Sequence, residues 1–142
     1  MTTLPNKRAV GPIEAHGIRL RLLEAGDLPM TLAWRNEDHI RRWFFTSQAI
    51  APEQHWAWWE RYRTLDSDFV FIIEDTAALK RPVGQVALYN IDWLAGRAEY
   101  GRLLIGDAVA RGRGLARAAT AALVDHGFHT WGLREIHLEV LA

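Results

Sequence analysis

The amino-acid sequence predicts an α+β domain of three layers (an α/β sandwich), in which a mixed, mostly antiparallel sheet is flanked by helices. Two observations carry that expectation. Residues 69–73, 83–89 and 98–105 are apolar, strand-like runs separated by short polar turns, the pattern of a meander. Helical stretches precede the meander, and a long Ala-rich helix follows it.

Residues 1–16 contain Pro5, Gly11 and Pro12 with little periodicity, and are expected to form a loose leader ahead of a single domain over 17–142. Ile18, Leu20 and Leu22 alternate with Arg19 and Arg21, the period of a half-buried strand. Glu24, Ala25 and Gly26 break it. Asp27 reads as an N-cap, with Pro29 tolerated in the first turn of a short helix that runs to Asn36. A second helical stretch over 37–45 sets His39, Arg42 and Trp43 at spacings of three and four. A third opens at Pro52 and runs to Thr64. There Trp56, Trp59 and Arg63 share one face, and His55, Trp58 and Tyr62 crowd an adjoining one. Core packing is the expected use for most of the tryptophans between Trp34 and Trp59, with some left to face a ligand. After the meander, a helix over 114–131 carries the apolar stripe Leu115, Ala118, Ala119, Ala122 and Leu123. Gly132 closes it, and residues 136–141 form a last strand.

Composition narrows the function. The 142 residues hold 17 basic and 17 acidic side chains, so no overall attraction draws the chain to nucleic acid or to an anionic membrane. Any anion site must be local. The apolar fraction of 49% is enough for one compact core, and no apolar run approaches the length of a membrane span. With no cysteine, the chain fits a reducing compartment, and a cytoplasmic location is expected. The six histidines show no metal-ligand spacing, so no metal is expected; His55 and His137 are secondary site candidates.

The chemistry points to Arg111-Gly112-Arg113-Gly114-Leu115-Ala116, which lies between a strand and a helix. Two glycines let backbone amides turn toward a ligand, and the helix that begins there adds unpaired N–H groups and the positive end of its dipole. Arg111, Arg113 and Arg117 add fixed positive charge, so the loop suits a phosphate or pyrophosphate. A P-loop would need Lys and Ser/Thr where Leu115 and Ala116 stand. A dinucleotide fingerprint would need Gly at Arg117.

What remains is the pattern Arg/Gln-x-x-Gly-x-Gly/Ala, matched by Arg111, Gly114 and Ala116. Here the chain resembles the GCN5-related N-acetyltransferases, and within them the RimJ/RimL-type branch and its nucleotide-sugar relatives. The supporting residues are Trp34-Arg35-Asn36, Pro82-Val83-Gly84 and Ala98-Glu99-Tyr100-Gly101. The resemblance implies acetyl-CoA as acetyl donor, its pyrophosphate on residues 111–117 and its pantetheine arm along Leu103, Leu104 and Ile105. It implies direct attack by a primary amine, with Glu99 as the base and backbone amides near Ile105 stabilising charge on the thioester oxygen. Trp34, Arg35, Asn36, Arg41 and Trp56 are the acceptor-binding candidates. The acceptor is a small-molecule amine, such as a nucleotide-linked amino sugar, or a protein N-terminus. The resemblance also places a further helix, with the Tyr that protonates the leaving thiolate, and closing strands beyond Ala142. The fold is therefore expected to be C-terminally incomplete, without a general acid and with an exposed last strand suited to homodimer formation. The competing expectation is a non-catalytic acyl-CoA-binding module that works with a partner. Weakest is an RNA-binding role for Arg111, Arg113 and Arg117, which zero net charge disfavours.

Overall fold

A computed structural model of the chain describes residues 7–37, 40 and 49–138. Six strands form one sheet in sequence order: β1 (Ile13–Ala15), β2 (Ile18–Leu22), β3 (Phe69–Asp75), β4 (Arg81–Asp92), β5 (Arg97–Ile105) and β6 (Glu135–Leu138). Neighbours pair antiparallel from β1 to β5, and β6 joins β5 in parallel. Among the described residues the sheet is accompanied by α1 (Leu28–Asn36), α2 (Pro52–Tyr62) and α3 (Leu115–Asp125).

The central strand explains the layering. Successive side chains of a strand point to opposite faces. Phe69, Phe71 and Ile73 accordingly enter the core cluster that Ala119 and Leu123 of α3 complete, while Val70 and Ile72 enter another with Leu28 of α1 and Tyr62 of α2. Both faces of β3 are covered, which is why it reads as an unbroken apolar run. On α3, Leu115, Ala118 and Ala122 flank the two buried positions, as the helical period predicts. The expected helix over 114–131 is shorter, since its last residues, His126–Thr130, widen into a π-helical turn.

Two expectations are corrected. The expected leader is docked over its described part. Residues 13–15 form β1, Val10 packs on the core, and Lys7 Nζ donates to the carbonyls of Tyr62 and Asp68, each at 2.7 Å. Arg8 chelates the Asp66 carboxylate and its guanidinium lies 3.4 Å from the Trp93 ring centre. These partners lie more than 50 residues away in sequence, beyond the reach of local periodicity. Asp27 makes no side-chain cap for α1. Instead its carboxylate takes a bidentate pair from Arg21 (2.8 and 2.9 Å) and the Glu24 N–H, and Arg21 holds its pKa below the ordinary value against the opposing effect of burial. Most of the helix expected over 37–45, with His39, Arg42 and Trp43, lies outside the described residues, as does the end of the last strand.

Candidate active site

The site begins with an irregularity in β5. Pairing runs Ala87↔Gly101 and then Gln85↔Leu104, so two steps along β4 face three along β5. The extra residue makes a bulge, and Arg102 adopts φ +54° there. Gln85 Nε2 donates to the Arg102 carbonyl (3.1 Å), which pins the bulge in place. The Arg102 side chain lies over the Tyr89 ring, 4.1 Å from its centre, and its Nη1 bonds Asp68 Oδ1 at 2.7 Å. Among the described residues β6 follows β5 only as far as the Tyr100↔Leu138 pair. Leu103, Leu104 and Ile105, the expected pantetheine strand, lie past that point.

Beyond β5 the chain enters the glycine loop. Gly106 N–H donates to the Val83 carbonyl, and Asp107 Oδ1 accepts from the Val109 N–H to start a short 3₁₀ turn. Arg81 bonds the other Asp107 oxygen at 2.6 Å and holds that carboxyl below its ordinary pKa. Arg111 folds back on the strand it follows, donating to the carbonyls of Ile105 and Gly106 and standing 3.6 Å from Glu37. Arg113 Nε holds the Val109 carbonyl at 2.9 Å. Both arginines thus brace the loop's backbone besides charging it. Gly114, at φ +78°, is the N-cap of α3, and a side chain there would meet open space but a strained backbone. The first-turn amides of α3, at Leu115, Ala116 and Arg117, have no intrahelical acceptors and stand at the positive end of the helix, where a backbone site favours an anion. Exposed Arg117 stands on the outer side of α3, beside a shallow groove.

On the opposite face of the sheet, α1, α2 and the bulge enclose a cavity of about 320 Å³. Arg35 reaches it from α1, Gln54, His55 and Trp58 from α2, and Gln85 and Arg102 from the sheet. The predicted α2 face is present: His55 stacks on Trp58 (5.6 Å between ring centres), and Trp58 stacks on Tyr62 (4.8 Å). His55 Nε2 is 3.1 Å from Thr31 Oγ1. Burial, reinforced by the charge of Arg35, pushes its pKa down, so the ring is neutral near pH 7. Burial and then the charge of Arg102 lower the Arg35 pKa as well.

The other acceptor candidates separate. Trp34 is buried with Ile40 and Leu104 under the end of β5. Asn36 bonds both the carbonyl and the N–H of Ile50 (2.8 and 2.7 Å), closing the connection between α1 and α2. Trp56, 48% exposed, lines with Asn36 an outer groove of about 370 Å³ between those helices. Arg41 lies outside the described residues. Glu99 faces Tyr89 on one side and His137 on the other, accepts from Asn90 Nδ2 at 3.2 Å, and does not line the cavity. Sequence reasoning missed Arg102, Gln85 and Gln54 as site residues, because only the bulge turns Arg102 toward the helices. The described residues contain no group of three His, Asp or Glu able to hold a metal, and no helix long and apolar enough to cross a membrane.

Comparison with known proteins agrees with this geometry. The family model described as acetyltransferase (GNAT) domain matches residues 18–142. No curated protein sequence matches the chain. A spermidine N-acetyltransferase from Vibrio cholerae, solved with CoA and spermine, superposes with a TM-score of 0.79 at 25% identity, covering 89% of this chain and 72% of that one. A domain from Methanocaldococcus jannaschii DSM 2661 shares the fold at 24% identity and a TM-score of 0.73 (87% and 77% covered). So does a dodecameric Vibrio cholerae spermidine N-acetyltransferase at 22% and 0.69 (87% and 70%). With a family match over most of its length, a glycine loop at the start of α3 and a bulged β5 beside a half-open cavity, the chain belongs to the GNAT family and is an acetyl-CoA-dependent N-acetyltransferase.

Proposed function

We propose that the protein acetylates the primary amine of a small molecule, with a nucleotide-linked amino sugar as the acceptor class. The observation that carries this reading is the cavity of Arg35, His55, Trp58 and Arg102, which adjoins the β5 bulge on the face covered by α1 and α2. The donor supplies an acetyl thioester. In this reading Gly112, Gly114, Leu115 and Ala116 hold its pyrophosphate, and the Leu103–Ile105 edge aligns its arm so that the carbonyl meets the bulge. Backbone amides near Ile105 stabilise the charge that grows on the thioester oxygen. Trp58 packs against the acceptor ring. Glu99 takes the amine proton through water, since an amine is mostly protonated at pH 7 and must lose that proton before attack.

A protein N-terminus is the second reading, favoured by the outer groove between α1 and α2, where Trp56 is exposed. The polyamines acetylated by the Vibrio cholerae enzymes fit poorly, because the described residues that line the cavity include two arginines and no carboxylate. We place the protein in the cytoplasm, with a second copy of the chain adding along the outer edge of β6. The test is to offer purified protein acetyl-CoA with UDP-linked amino sugars, N-terminal peptides or spermidine, and to follow thiol release. Turnover confined to the amino sugars supports the first reading, turnover confined to peptides supports the second, and turnover confined to spermidine overturns both.

A further inference from the structure

We infer that Arg35 and Arg102 form a clamp for an anionic group, phosphate or carboxylate, on the acceptor amine, so that the enzyme selects amines that also carry negative charge. The inference rests on the acetyltransferase reading above and specifies which part of the acceptor the cavity recognises.

Arg35 of α1 and Arg102 of the β5 bulge both line one cavity. Both are partly shielded from water: the Arg102 side chain is 27% exposed, and burial is the main cause of the lowered Arg35 pKa. The charge of Arg102 contributes to that lowering, so the two cations repel one another across the space they enclose. An anion between them relieves this repulsion. Arg102 is also held ready. Asp68, 7% exposed, fixes Nη1, the Tyr89 ring supports the guanidinium plane, and Nε and Nη2 have no protein partner among the described residues. A planar fork fixed in this way matches a phosphate or carboxylate.

The rest of the lining agrees. Gln54 and Gln85 supply neutral amides, and His55 is kept uncharged, so neither competes for the anion nor adds cationic charge. Among the described residues no carboxylate lines the cavity to receive an ammonium group. A polycation entering it would meet two like charges. Asp68 offsets part of the charge of Arg102.

Four amines test the inference: glucosamine 6-phosphate, γ-aminobutyrate, glucosamine and spermidine. Each is titrated calorimetrically into protein saturated with CoA, so that the glycine loop is already filled, and each is separately offered with acetyl-CoA for thiol release. The expected result is that the phosphate- and carboxylate-bearing amines bind and turn over at least roughly tenfold better than glucosamine and spermidine, the scale of one charge-assisted hydrogen bond. Arg35→Gln should erase that preference while CoA affinity is kept. The pair Arg102→Met with Asp68→Asn removes the second cation without stranding a buried carboxylate, and should do the same. Preference for the phosphate over the carboxylate, or the reverse, identifies which anion the clamp takes. Equal treatment of all four amines, or preference for spermidine, overturns the clamp and leaves the acetyltransferase reading standing. Arginine-dependent binding of the anionic amines without turnover of any amine supports the clamp and counts against the transfer reading.

Discussion

The indole of Trp34 occupies the space that a β-carbon on Gly106 would need: an added Cβ would stand 2.1 Å from Trp34 Cγ. Helix α1 and the exit of β5 are therefore in direct contact just before the glycine loop, and Gly106 permits it. Gly106→Ala should lower stability by about 1–3 kcal/mol, the usual penalty for overpacking, and weaken acetyl-CoA binding together with it. Urea denaturation and calorimetry check both effects. Trp34→Leu in the same chain should recover part of the loss, whereas independent, additive losses would show that the contact is not what matters.

Gly114→Val places a β-branched side chain at φ +78°, where non-glycine residues are strained by about 1–2 kcal/mol. The nearest space is open, so the cost falls on the loop's conformation and not on the core. Acetyl-CoA affinity should be lost while the circular dichroism spectrum is kept. Unchanged affinity would remove the loop from the coenzyme site.

Glu99→Gln keeps the size of the side chain and its bond from Asn90, but abolishes its basicity. Turnover should fall roughly 100-fold or more, the scale of general-base catalysis, with CoA affinity preserved. A loss in binding alone would give Glu99 a structural role at the β4–β5–β6 junction.

The neutral ring of His55 sets a pH dependence. Its folded-state pKa lies below the ordinary 6.5, so between those two values the unfolded chain binds more protons. Stability should thus fall as pH drops from 6.5 through the folded pKa, and His55→Gln should flatten that slope. Urea midpoints collected from pH 5 to 8 for both proteins test this, and identical slopes would overturn it.

Lys7 lies 3.5 Å from the centre of the Tyr62 ring, and burial lowers its pKa from 10.5 to about 8. Between pH 8 and 10.5 the unfolded chain holds the proton that the folded chain has released, so this residue makes the fold more stable as pH rises through that window. Lys7→Met should remove the dependence and cost about 1–2 kcal/mol at neutral pH through its two carbonyl bonds. Melting curves at pH 7 and 10 decide it.

The readable parts were those written in local pattern. β3 shows its double burial as an unbroken apolar run, α3 shows its buried stripe at helical spacing, and the glycines of residues 111–116 mark the strand–helix junction. What stayed hidden depends on register and on distant partners. A single extra residue in β5 turns Arg102 toward α1 and α2, and no periodicity in Arg97–Ile105 announces it. Trp34 and Arg35 are adjacent in sequence, yet one is buried under β5 and the other lines the cavity, because their positions on α1 differ by the turn of one helical residue. Asp27 looked like a cap because its type favours caps; the bidentate geometry of Arg21 offered it more.

Asp68 is shared by two parts of the molecule that sequence keeps far apart. Its carbonyl receives Lys7, and its carboxylate steadies Arg102. Lys7 and the cavity wall at Arg102 therefore hang on one hinge-pin. A tag or substitution that disturbs Lys7 is therefore not neutral for this protein: through Asp68 it reaches Arg102, and kinetic constants are best taken from protein in which Lys7 is left undisturbed.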